Sequence, residues 1–338
     1  MPAEQTFQYS AYGLLLECNR LLSTLLSCKA DRRADVRITL RGELGIPDRT
    51  QAAATLYESP GRTAQGTPYF TVLRAQAEPS SYIECRYVCE AGTGNFRIDA
   101  AGEHIEVRWT AGVPFEDLVA YLTGPVIGCV LRLRATACLH AGVVAIGRQA
   151  IVLIGPKGAG KSTLTAAFAY DGVPVLADDI AALEDRHDVL SVHPGYPRLR
   201  LWPDAVASIT DRRPDDLPLV TSSMDKRLQI LTQDPTATRW RFHAEPLPLA
   251  AVYLLDSRRT RRPPLIRNAR RNGAELMVSL LQNTYASYVC DATLRRHEMK
   301  VLARLLRSLP VHTVRPQSGF DGVRRLRDAI RVHVPGCR

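Results

Sequence analysis

Residues 150–162 read AIVLIGPKGAGKS: an apolar run, then Gly155 to Ser162 as a full match to G-x-x-x-x-G-K-[ST]. The apolar run predicts a strand, and Leu164, Ala167 and Phe168 continue at helical spacing, so the glycine-rich stretch falls between a strand and a helix. That context is the one in which such a loop cradles phosphate. Its glycines let the backbone curl so that successive N–H groups face phosphate oxygens, and the helix offers its N-terminus to the same anion. Lys161 adds a positive charge at the β/γ end, and the Ser162 hydroxyl is a ligand for Mg²⁺. The candidate nucleotide-binding residues are therefore Gly155, Pro156, Lys157, Gly158, Ala159, Gly160, Lys161, Ser162 and Thr163.

A second motif stands on the next expected strand. Val175-Leu176-Ala177-Asp178-Asp179 places two adjacent carboxylates at its end, seventeen and eighteen residues after Lys161. One carboxylate can ligate Mg²⁺ and the other can take the proton of an attacking hydroxyl, which is most of what phosphoryl transfer asks of a protein. Asp178 is read as the base, and Ser162 with Asp179 as the metal ligands. Just ahead of the strand pair that carries the loop stands His140, where it would sit beside Asp178 and orient it or tune its proton affinity. Candidate catalytic residues are thus Asp178, His140 and Lys161.

Outward from this core the chain changes character at about residue 136. Before it, segments such as Arg37–Leu40, Tyr69–Leu73 and Ile105–Trp109 alternate between turns, with Ala100–Glu103 as a hairpin turn, so residues 1–135 predict a β-rich domain. Pro114 to Arg134 reads as a buried linking helix. After it, strands at 142–146, 150–154, 173–177, near 189–193 and 227–231 alternate with helices, including 272–284, 293–308 and 320–332. Residues 136–338 therefore predict an α/β nucleotide-binding domain. Pro214–Leu219 and Arg258–Pro264 read as surface loops.

Bulk composition removes several classes. The 338 residues are 46% hydrophobic and 23% charged, those of a globular protein with about two domains. There is no apolar run long enough for a membrane span, and the N-terminus lacks a basic segment and a small-residue cleavage site, so a cytoplasmic address is expected. The eight cysteines show no paired C-x-x-C spacing, which argues against structural zinc. Net charge is +10, with arginines dense at Arg258-Arg259-Thr260-Arg261-Arg262, Arg270-Arg271 and Arg324-Arg325-Leu326-Arg327. No aromatics interleave with them, so no nucleic-acid partner is expected.

The order His140, loop, Asp178-Asp179 resembles the catalytic half of HPr kinase/phosphorylase, and of the HPr-kinase-like proteins of ribosomal peptide clusters, lasso peptides included. The most specific stretches are Leu139–Val144, Ile154–Ser162 and Leu176–Asp179. His193–Pro203 and Pro246–Leu255 look like the peptide-modifying branch. The resemblance implies an α/β fold related to phosphoenolpyruvate carboxykinase, ATP and Mg²⁺ as cofactors, a serine hydroxyl on a peptide or small protein as acceptor, and a homo-oligomer. The glycine-rich signature that comes after the paired aspartates in true HPr kinases is not found, and Pro197–Pro203 stands near its place; phosphorylase activity and HPr as substrate do not carry over. In that segment Arg198, Arg200 and Trp202 share one face of a strand, with Leu199 and Leu201 on the other. Arg198 and Arg200 read either as contacts to ATP phosphates or an acidic peptide group, or as solvated arginines of an edge strand. Lys226 and Arg227 carry the same two readings. From the residues alone, a metabolite kinase and a nucleotide-binding switch stay open beside a peptide kinase.

Overall fold

The computed structural model describes residues 5–42, 53–77, 80–256, 261–269 and 273–334. Arg258, Arg259, Thr260, Arg270, Arg271 and Cys337 lie outside the described residues, and with them part of the expected Arg258–Pro264 loop. The chain is mixed α/β, with several sheets. It divides into two compact units: residues 1–135 with 220–225 and 286–295, and residues 136–219 with 226–285 and 296–338. No described helix is long and apolar enough to cross a membrane.

The first unit is built on a nine-stranded sheet. Its strands are β1 (Phe7–Ala11), β2 (Leu14–Cys18), β3 (Leu26–Ser27), β4 (Val36–Leu40), β5 (Ala53–Glu58), β6 (Phe70–Ala77), β7 (Ser80–Cys89), β8 (Gly92–Asp99) and β9 (His104–Trp109), in the order β3-β1-β2-β4-β9-β8-β7-β6-β5. Alternation fixes the faces: Val36, Ile38 and Leu40 of β4 are buried while Arg37 is exposed. The turn between β8 and β9 is closed by Asp99 Oδ1, which accepts the Glu103 and His104 N–H groups at 2.7 and 3.0 Å. The expected linking helix is two helices, α1 (Phe115–Tyr121) and α2 (Ile127–Leu133), joined by a π turn over Leu122–Val126. Pro125 inside that turn has no N–H to give, which explains the widened helical step. Asp117, buried in α1, accepts the Tyr87 hydroxyl at 2.6 Å and the Ser222 N–H at 2.9 Å, fastening the 220–225 segment to this unit.

The second unit carries β10 (Ala137–Ile146), β11 (Gln149–Ile154), α3 (Lys161–Tyr170), β12 (Val175–Arg186), β13 (Val189–His193), β14 (Arg198–Leu201) and α4 (Pro203–Ile209). Beyond these come β17 (Leu247–Leu255), β18 (Leu265–Asn268), α5 (Gly273–Gln282), β19 (Val311–Arg315) and α7 (Phe320–His333), while β15 (Leu219–Thr221), β16 (Met224–Ile230) and α6 (Ala292–Ser308) each have residues in both units. Its main sheet runs β11-β10-β12-β13-β17-β19-β18, and β11 also pairs in parallel with β17. The pairings β10, β12, β13, β17 and β11 therefore close into a ring. One edge of β17 makes this possible by dividing its length: Leu247 and Pro248 face β13, and Val252 to Leu255 face β19. Val143, Val152, Ile154, Val192 and Val252 are fully buried, and Leu280 of α5 with Leu302 and Leu305 of α6 belong to the same core. Each such side chain contributes about 1.5–3 kcal/mol relative to exposure.

Helix α3 packs on β10, β12, α4 and α7. Its approach to β10 rests on Gly142, where an added Cβ would stand 2.0 Å from Thr165 Oγ1. The smaller strands β14, β16 and β15 form a sheet in that order, with Arg198 opposite Ile230 and Leu201 opposite Arg227. Pro214–Asp216, expected as open loop, forms one turn of 3₁₀-helix.

Candidate active site

Strand β11 delivers the chain to Gly155, whose φ of 151° turns it away from the sheet. Only glycine fits there, because a Cβ would meet the Leu255 carbonyl oxygen at 2.6 Å. The loop is held by the Ala159 N–H on Pro156 O at 3.1 Å, and α3 opens with the Leu164 N–H on Gly160 O at 2.9 Å. The first-turn N–H groups, among them those of Ser162 and Thr163, thus precede any intrahelical acceptor and are available to an anion. Lys161 is 8% exposed and donates from Nζ to the carbonyls of Gly155 at 2.7 Å and Pro156 at 3.3 Å. Burial lowers its proton affinity, and the charges of Asp179 and Asp178 pull it back up. Lysine and carboxylates therefore share one electrostatic site.

Strand β12 does not end at the carboxylates, as the sequence predicts, but runs through them to Arg186. Asp178 is 6% exposed, and its Oδ2 accepts the Arg200 N–H at 2.9 Å. Burial pushes its pKa up against the opposing Arg200 charge and amide. Asp179 is different. Its φ is 88°, left-handed backbone that a non-glycine residue keeps only when its surroundings enforce it. Oδ2 receives Arg200 Nη2 at 2.5 Å and the Tyr285 hydroxyl at 3.1 Å, and Oδ1 lies 3.2 Å from His140 Nδ1. Burial would raise the Asp179 pKa; the Arg200 charge and the His140 hydrogen bond outweigh it and hold this carboxyl well below the usual range. The two adjacent aspartates are thereby driven in opposite directions.

Three expectations change here. His140 lies inside β10, opposite Ile180, and contacts Asp179, not Asp178. Arg200, read as a phosphate or peptide contact, is committed to the carboxylate pair through both guanidinium and backbone. Asp179, read as a metal ligand, has both oxygens engaged, whereas the hydrogen bond shown to Asp178 leaves its Oδ1 open. Of the remaining basic residues, Lys226 stacks its ammonium 5.3 Å from the Trp202 ring centre. Burial and Arg200 lower its proton affinity while Asp179 and Asp178 raise it, so it too faces the pair. Arg198 is half-buried, and burial lowers its proton affinity. Arg227 is ion-paired with exposed Asp215 at 3.2 Å.

The sequence reading passed over Asn283 and Tyr285. Where β11 leaves the edge of β10, residues 283–285 take its place: His140 N–H donates to Asn283 O at 2.7 Å and Tyr285 N–H to Cys138 O at 2.8 Å. Asn283 Oδ1 accepts the Gly155 N–H at 3.1 Å, and its Nδ2 donates to Ser279 O at 2.8 Å. The Tyr285 ring lies 5.9 Å from that of His140. One short strap thus fixes the start of the loop, the histidine and Asp179. No local pattern announces it, since Asn283 stands 128 residues from its partner Gly155.

Mg²⁺ takes near-octahedral oxygen ligands, typically one or two carboxylates with phosphates and waters. The Ser162 hydroxyl and the open Asp178 oxygen are donors of that kind, and no described group of three or more His, Cys, Asp or Glu forms a fuller cage.

Fold and site define a mixed α/β protein with a glycine-rich strand–loop–helix element facing a polarised pair of aspartates. No family model matches the chain, and no curated protein matches it. Among solved structures, the Hpr(Ser) kinase/phosphatase from Coxiella burnetii is similar at 11% identity over 58% of this chain and 89% of that one, with a TM-score of 0.30. So loose a superposition leaves the reading of the site to its own geometry.

Proposed function

We propose that this chain is an ATP- and Mg²⁺-dependent kinase that transfers the γ-phosphate to a serine hydroxyl of a peptide or small protein, a lasso-type precursor peptide being the acceptor that the sequence resemblance implies. The observation that carries the transferase reading is the Asp178–Asp179 pair, which Arg200 holds on β12, a strand packed against α3, whose first residue Lys161 donates to the loop carbonyls of Gly155 and Pro156. In this reading the loop N–H groups and Lys161 hold the β- and γ-phosphates. Mg²⁺, held by the Ser162 hydroxyl together with phosphate oxygens and water, would neutralise phosphate charge and leave the open Asp178 oxygen free of metal. Asp178, its proton affinity raised by burial, is the group suited to accept the serine proton as the serine oxygen bonds to phosphorus and the bond to the β–γ bridging oxygen breaks, leaving ADP. Asp179, locked by Arg200, His140 and Tyr285, keeps a fixed negative charge beside it and sets the backbone on which Asp178 is mounted. Lys226 stands ready for charge on the transferring group.

Mass spectrometry of a serine-containing peptide encoded beside the gene, incubated with the protein, ATP and Mg²⁺, tests the proposal. Gain of one phosphate on serine, lost with Lys161→Ala, is the expected result. Nucleotide binding with no peptide phosphorylation moves the reading to a metabolite acceptor or a binding switch.

A further inference from the structure

The strand ladder that holds the aspartates has a face that reaches solvent. Strands β14 and β16 pair antiparallel, with Arg198 opposite Ile230, Arg200 opposite Leu228 and Leu201 opposite Arg227. Side chains alternate along a strand and directly opposed residues share a face, so Arg198, Arg200, Leu228 and Ile230 point to one side. The other side is core, where Leu199, Leu201 and Gln229 are buried. At one end of the first side Ile230 is 54% exposed. At the other, extended backbone carries the alternation on to Trp202, 49% exposed, whose ring centre lies 5.3 Å from the Lys226 ammonium. Between them stands Arg200, bonded to Asp179 through its guanidinium and to Asp178 through its N–H. A lone apolar residue on a surface is ordinary, but here two large ones flank one charged site on one face. Each is two residues' rise from Arg200, about 7 Å along the strands. An extended peptide has the same repeat: residues two before and two after a central serine are displaced by about 7 Å and point the same way as its hydroxyl.

We infer that this face docks the acceptor as an extended peptide, with its serine at Asp178 and a large apolar or aromatic side chain two positions away on each side, one against Trp202 and the other against Ile230; this rests on the peptide-kinase reading above. The Trp202 ring offers a flat apolar wall to such a side chain. Arg198 and Lys226 make the face cationic, so it accepts carboxylates between the apolar anchors and opposes lysine or arginine there. Alternation within β14 already groups Arg198, Arg200 and Trp202; Ile230 joins them only through the ladder, 30 positions from Arg200.

A library of synthetic serine peptides, each with one residue type fixed at the second position before or after the serine, tests this with the full chain, Mg²⁺ and γ-labelled ATP. Wild type is expected to favour Phe, Trp, Leu or Ile over Gly and Lys about tenfold at both positions, the scale of one apolar anchor. Trp202→Ala and, independently, Ile230→Ser should each flatten the preference at one of the two positions and raise KM for the best peptide about tenfold. KM for ATP and turnover of a glycine-flanked peptide should stay as in wild type, and ligand-free melting curves confirm that each variant is folded. Transfer to the library with no preference at either position would overturn the docking face and leave the kinase reading standing. A preference kept in both variants would overturn it as well. So would a rise in KM for ATP equal to that for peptide, because the ring would then serve the nucleotide. Transfer to no peptide at all would overturn the peptide-kinase reading, and the docking face with it.

Discussion

Replacing Arg200 by methionine exposes how the carboxylate pair is held. The substitution keeps an unbranched apolar stem and removes the guanidinium that bonds Asp179 at 2.5 Å. Asp179 would retain the Tyr285 hydroxyl and His140 but lose its cation, so a charge stays in a site where its side chain is only 20% exposed. Orphaning one member of a fully buried pair costs about 3–5 kcal/mol, and partial exposure trims this to about 2–4 kcal/mol. For a unit of this size that is a fall in Tm of roughly 5–15 °C. The pH dependence has a definite sign. In wild type the depressed Asp179 pKa contributes stability above the unfolded value near about 4 that is lost as pH falls below it. Without Arg200, burial dominates and lifts the folded pKa above the unfolded one, so the deficit is full at pH 7 and shrinks as pH falls through that raised value. The Arg200→Met/Asp179→Asn double variant removes the orphan charge and should recover most of the loss. Calorimetric melting between pH 4 and 7 checks this. A single-variant loss under about 1 kcal/mol, or a double variant no more stable than the single, would refute the argument.

Asp178→Asn should raise Tm slightly, since it removes a buried carboxyl whose ionisation opposes folding, while lowering kcat by about 10²–10⁴-fold with ATP affinity retained; near-normal turnover would show that another group is the base. In wild type, kcat should fall with decreasing pH through an acid limb lying above the ordinary carboxylate value of about 4, and a limb below it would contradict a raised Asp178. Gly142→Ala should cost about 1–3 kcal/mol through the 2.0 Å approach to Thr165 Oγ1, and a Thr165→Ala partner change should relieve it in a denaturant titration. Tyr285→Phe should lower kcat without changing the Kd for ATP, whereas Asn283→Ala, which leaves the Gly155 N–H unsatisfied, should weaken ATP binding and cost about 1–3 kcal/mol.

Sequence reading succeeded where chemistry is local. The strand at 150–154, the helix from Lys161 and the helices near 293–308 and 320–332 stand close to their expected bounds, because apolar periodicity and glycine placement act over a few residues. It misjudged β12 for an instructive reason: aspartate disfavours strands, so Asp178-Asp179 reads as a strand end. The strand continues because Arg200, His140 and Tyr285 supply partners from elsewhere. The same long reach hid Asn283 and Tyr285, whose roles exist only once distant segments meet.

The ring of strands also orders events in time. Its parallel closure joins Ala150 to Leu249, 99 positions away, so this pairing forms against a large chain entropy and late relative to the local hairpin of β10 and β11. Gly155 comes directly after β11; it meets Leu255 of β17 through that closure and Asn283 across another 128 residues. A nascent or partly folded chain therefore carries the full glycine-rich motif without a rigid cradle, and the capacity to grip phosphate waits on long-range closure.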